Sequence, residues 1–349
     1  MFHRLPTSFL FLSLLAIPFL LIACGADESE PVTDAGGDVS PDVTADGSAS
    51  TPDSTVEVDT ADTTPSVCFN DIAPGEVHVF FDGFSGSEGI SFGPDGLLYA
   101  GGGGKIWRFD AQGVRTELAD VPNPLGLAPA PDGVWVASKG PSDSPAVVDG
   151  GVYRVTTDGT VTALSTLIPS PNAIVEAANG TLLTSDDFDT RVWRVDADGT
   201  TTEWLTEVPS PNGLAYSPDR TALYIASTFS DAGEVWAWDV DADGLPIGTG
   251  RQIASLGPSA TNDGLAVDAN GLVYVAANLE HRIVIIDPAG GEPVNLAAEG
   301  MLTPASLAFG NGEGFDPCSI YVTELLGSKI LRIGVGVPGA PVGFVSVAE

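Results

Sequence analysis

From Val77 onward, apolar and polar residues alternate in short runs separated by turns rich in Gly, Asn and Asp, the pattern of half-buried antiparallel strands. Six stretches share one phase, an apolar strand, a turn and a second apolar strand: 87–100, 123–138, 170–186, 210–228, 261–278 and 303–324. Equivalent residues at their starts are Glu88, Leu125, Asn172, Asn212, Asp263 and Ala305, spaced by 37, 47, 40, 51 and 42 residues. A mean near 43 is the length of a four-stranded propeller blade. Third strands follow from Lys105, Gly151, Arg191, Glu234, Arg282 and Lys329, and fourth strands such as those at Val161 and Thr201 come after Asp/Gly turns. The last blade has no fourth strand of its own. The run Val77 to Asp82 is available to supply it, which would close the ring and remove two exposed sheet edges. The expected fold is therefore all-β, a six-bladed propeller with four-stranded antiparallel blades, closed by an N-terminal strand.

Composition adds what the chain cannot be. Its 349 residues carry 47 acidic and 13 basic side chains, a net charge of −34, which repels phosphate backbones and excludes a nucleic-acid partner. With 42 Gly and 27 Pro the chain is punctuated too often for long helices. Residues 1–23 read as an export signal, with Arg4 followed by an apolar run too short to span a membrane. The run ends in Leu21-Ile22-Ala23-Cys24-Gly25, which resembles a bacterial lipobox, so Cys24 is the expected lipidation site. Residues 24–65 hold 11 acids, no bases and almost no large apolar side chains, the composition of a disordered linker. Residues 66–349 form the expected propeller, still carrying about −24. The expected setting is the bacterial cell envelope, with the outer membrane ahead of the inner because Gly25 and not Asp follows Cys24. The domain would then stand in the periplasm or at the cell surface, a monomer held to the membrane through its lipid only. In such an oxidising compartment Cys68 and Cys318, the two cysteines left, are expected to pair across the ring closure; the alternative is two buried free thiols.

If the innermost strand of each blade starts at one face of the ring, the six equivalent residues converge on the central channel there. Leu125 and Ala305 are apolar. Glu88, Asn172, Asn212 and Asp263 are oxygen donors, costly to gather on one axis unless something binds them. One hard divalent cation is the simplest occupant, Ca²⁺ first, with Mg²⁺, Mn²⁺ and Zn²⁺ as further candidates. The competing reading is turn chemistry, since Asn212-Gly213 and Asp263-Gly264 are also ordinary turn dipeptides; Glu88 has no such reason to stand in the series.

Glu88-Gly89, Ser170-Pro171-Asn172, the run from Pro211 to Asp219 and the run from Asn262 to Asp268 resemble the blade starts of the senescence-marker-protein, gluconolactonase and luciferin-regenerating-enzyme family. The resemblance extends from about Val77 to Gly334. It implies that Glu88, Asn212 and Asp263 hold one divalent metal and that Asn172 contacts metal or substrate. It further implies a metal-assisted lactone hydrolysis on a small-molecule substrate, with Asp263 as general base. Two positions depart from the family pattern. Ile90-Ser91-Phe92 replaces a Pro and an aromatic after the first motif, and Ser170 stands where sugar-lactone members often carry Arg, a contact that an aldonolactone would lose.

Second strands return to the same face, and their ends offer Lys139, Asp186, Asp187, Thr228, Asn278 and Glu324. Of these, Lys139, Thr228 and Asn278 join Asn172 as candidate substrate contacts, although a solvent-exposed lysine is the plainer expectation for Lys139. The segment from Gly140 to Gly150 begins there as a candidate partial lid. No Gly-x-Ser-x-Gly elbow occurs, and beyond the signal only His78 and His281 remain, which argues against a serine triad. Because propellers also serve as binding platforms, the alternative function is a non-catalytic envelope lipoprotein that binds a ligand or a protein.

Overall fold

The computed structural model describes residues 67–84 and 86–341. The export signal, Cys24 and the linker to Pro65 lie outside the described residues. The described residues form six four-stranded antiparallel sheets. The innermost strands are Ser87–Phe92, Pro124–Ala130, Pro171–Glu176, Pro211–Tyr216, Asn262–Val267 and Pro304–Phe309, in blades one to six. Each packs beside the next, and the sixth beside the first, so the ring closes.

The buried apolar side chains of the described residues lie between blades. Six buried clusters occur, each shared by two adjacent blades. Tyr99, Ile106, Val134 and Val136 join blades one and two, for example, and Leu183, Leu223, Ile225 and Trp238 join three and four. Trp193 lies among residues of blades two and three, which is why an aromatic suits that register. Burial at about 25 cal/mol per Å² makes these interfaces the main stabilising force.

Closure follows the expected route. Strand Val77–Asp82 pairs antiparallel with Lys329–Gly334 as the outer strand of blade six, with Val77 opposite Ile333 and Asp82 opposite Lys329. Phe80 packs edge-on against Tyr321 at 5.2 Å and Phe81 against Phe109 at 5.0 Å, so aromatic rings from the closing strand bridge blades six and one. Cys68 and Cys318 form a disulfide across the same junction.

Candidate functional site

Every innermost strand begins with one local device. Two residues before the equivalent position the backbone is left-handed: Asn123, Ser170, Ser210, Thr261 and Thr303 have φ between 37° and 47°, and Gly86 fills the place in blade one at 66°. Non-glycine residues there cost on the order of 1 kcal/mol each, so the surrounding structure must hold them. The bonds that do so are visible. The carbonyls of Asn123, Ser210, Thr261 and Thr303 accept from the amides of Lys139, Thr228, Asn278 and Leu325, the residues just past the second strands. In blades four to six the hydroxyl at this place also accepts the next amide: Ser210 from Phe229 (2.9 Å), Thr261 from Leu279 (3.0 Å) and Thr303 from Leu326 (2.8 Å).

A bulge follows at once. The register with the second strand shifts between Ser87 and Ile90, Pro124 and Gly126, Pro171 and Ile174, Pro211 and Leu214, Asn262 and Leu265, and Pro304 and Leu307. Glu88, Leu125, Asn172, Asn212, Asp263 and Ala305 therefore stand in the unpaired part of their strands, where a bulge re-aims a side chain. This overturns the turn reading of Asn212-Gly213 and Asp263-Gly264. Both pairs lie inside strands, and neither glycine has a positive φ. What requires glycine is the neighbouring blade. A Cβ on Gly213 would stand 2.3 Å from the Asp263 carbonyl oxygen, and one on Gly89 2.3 Å from that of Leu125.

The result is a cavity of about 550 Å³ on the face where these strands start, lined by Glu88, Leu125, Asn172, Asn212 and Asp263, with Lys139, Asp187, Thr228 and Asn278 from the second-strand ends. All seven expected metal or substrate residues thus meet in one place. Ala305 is fully buried and does not line the cavity. Neither do Asp186, which accepts the Phe188 amide at 3.2 Å, and Glu324, which accepts that of Leu302 at 2.7 Å.

Electrostatics at this mouth are unfavourable as they stand. Burial, followed by the charges of Glu88 and Asp187, pushes the Asp263 carboxyl well above its usual range. Burial and the Asp187 charge push Glu88 up to about 7. Asp187 also rises to about 7 through burial, against the pull of Lys139. Its Oδ1 is buried without a hydrogen-bond partner. The Asn278 amide donates to Asp263 Oδ2 (3.0 Å) and to the Pro304 carbonyl (3.1 Å), fixing the plane of that carboxylate. Thr228 donates its hydroxyl proton to the Asn262 carbonyl at 2.6 Å. Lys139 is not the exposed lysine expected of it. Its side chain is only 15% exposed, with Nζ 3.3 Å from Asp143 and 4.9 Å above the Phe188 ring.

Among the described residues no three Asp, Glu, His or Cys side chains close on a metal by themselves. Here the Asn172 and Asn212 carboxamides join the carboxylates, an all-oxygen set that suits a hard divalent cation. An orphaned buried carboxylate oxygen beside two others of raised proton affinity fits that group, because a cation would relieve all three. Asp187 was legible only as a strand end. Its orphaned oxygen depends on which neighbours reach it, and those include Lys139 of blade two as well as Asn172 of its own blade.

A family model described as the SMP-30/gluconolactonase/LRE-like region matches residues 180–324, the stretch carrying Asn212 and Asp263. No curated protein matches the chain. Solved structures match over nearly their whole length. A calcium-binding protein, regucalcin, from Agrobacterium tumefaciens is 19% identical with a TM-score of 0.65, over 78% of this chain and 98% of that one. A luciferin-regenerating enzyme is 19% identical with a TM-score of 0.61, over 79% and 100%. A gluconolactonase from Xanthomonas campestris is 19% identical with a TM-score of 0.59, over 80% and 96%. At these identities the likeness is one of fold.

Proposed function

We propose that this chain is a divalent-metal-dependent hydrolase of a lactone or related cyclic ester, allied to the family whose model matches its second half. The observation that carries the reading is the convergence of Glu88, Asn172, Asn212 and Asp263 on one cavity, beside a buried Asp187 oxygen with no partner. Glu88, Asn212 and Asp263 would hold the metal, and Asn172 would contact metal or substrate. When bound, the cation, Ca²⁺ first, supplies Lewis acidity at the ester carbonyl and charge for the oxyanion that develops there. Asp263 takes the proton from the attacking water, while the Asn278 amide holds its Oδ2. Water oxygen bonds to the carbonyl carbon, the ring C–O bond breaks, and the proton passes to the departing alkoxide, giving a hydroxy acid. The disulfide suits an oxidising compartment.

A panel of lactones assayed with Ca²⁺, Mn²⁺ and Zn²⁺ tests the reading. Turnover should require a divalent ion and fall in Asp263→Ala by at least about two orders of magnitude, the usual weight of a general base. No turnover above that variant on any lactone would leave the binding-module alternative.

A further inference from the structure

The residues two places past the register partner of each blade start form a ring of their own at the cavity mouth. In blades three to six they are Phe188, Phe229, Leu279 and Leu326, all lining the cavity. In blades one and two they are Gly104 and Gly140. The four large side chains are 49%, 60%, 56% and 68% exposed, an unusual concentration of apolar surface around a pocket whose floor is acidic. They are not loose. The rings of Phe188 and Phe229 touch at a tilt, centroids 5.8 Å apart, and the amides of Phe229, Leu279 and Leu326 are each held by the Ser or Thr at the left-handed position of the same blade. Side-chain hydrogen bonds thus fix the backbone under an apolar wall that the fold does not need for its own core. In the opposite sector the equivalent positions are glycine, and the cavity there is lined by Asn123, Lys139 and Asp143.

We infer that the site is built for a lactone carrying an apolar arm, seated on Phe188, Phe229, Leu279 and Leu326, and not for a polyhydroxylated ring. This rests on the hydrolase reading for the identity of the reacting ring, but not for the seat of the arm. The wall offers no side-chain donor or acceptor to sugar hydroxyls.

Two readouts test it. Alkyl γ-lactones of increasing chain length, from butyrolactone upward, give turnover; alkyl γ-lactams of the same lengths, which resist hydrolysis, give affinity by calorimetry. Both kcat/KM and lactam affinity should rise by up to about fourfold per added methylene until the wall is covered. The double variant Phe188→Ala with Phe229→Ala should flatten both dependences, while Val294→Ala, on an exposed outer strand, should keep them. Lactone turnover with a flat chain-length profile overturns the arm seat and leaves the hydrolase reading. A lactam slope that vanishes in the double variant without lactone turnover supports the seat and removes the hydrolase. A slope unchanged in the double variant overturns the assignment of the arm to this wall.

Discussion

Asp263 depends on a neighbour that no local stretch of sequence announces. The Asn278 amide bridges its carboxylate and the Pro304 carbonyl, tying two blades together beneath the candidate metal position. Removing an outer partner of a ligand typically costs 10- to 100-fold in metal affinity. We expect Asn278→Ala to lower Ca²⁺ affinity by about that factor, read by calorimetry, and Asn278→Asp to fail to restore it because a carboxylate cannot donate to Asp263. A second residue bears on pH. Glu176, near the other end of the channel, is pushed up to about 7 by burial. In the folded protein it therefore binds its proton more tightly than in the unfolded chain, where it titrates near 4.5. Its contribution favours folding at low pH and is lost as pH rises from about 4.5 through about 7. Glu176→Gln should accordingly melt higher than the parent above pH 7, with a smaller fall in Tm between acid and neutral pH.

Among elements, the innermost strand matters most. Its phase was readable because strand periodicity and Asp/Gly turns recur at blade length, so the strands, the closing strand and the face where all six begin were expected correctly. The bulge was not readable. It arises where the left-handed residue joins the end of the second strand, and Asn-Gly or Asp-Gly looks like a turn until the adjacent blade is present. Gly213 illustrates the point, since its lack of a Cβ serves contact with Asp263 of the next blade and not its own φ. Gly213→Ala must push two strands apart, and we expect it to cost about 1–3 kcal/mol of stability in chemical denaturation and to weaken metal binding through displacement of the Asp263 backbone. The apolar rim escaped the sequence reading for a related reason. Phe229 or Leu279 beside a strand reads as core until exposure is known.

At the scale of the whole molecule the ring is a closed cycle of blade interfaces, and one seam, in blade six, joins the first described strand to the last. Strand Val77–Asp82, the aromatic contacts of Phe80 and Phe81, and the disulfide all act at that seam. Cys68 and Cys318 are 250 residues apart in sequence, so reducing the bond frees a long loop in the unfolded chain. Replacing both with Ser should cost about 2–5 kcal/mol in denaturant unfolding without altering the cavity, which the seam does not line. The same closure brings Glu88 of the first blade into one cavity with Asp263 of the fifth, whose carboxyl its charge pushes up. Titration of Ca²⁺ into chelator-treated protein tests that arrangement most directly. Saturable binding of one ion per chain that disappears in Asp263→Ala and in Glu88→Gln is expected; no binding by the parent protein, or equal binding by both variants, would contradict a metal site built from these residues.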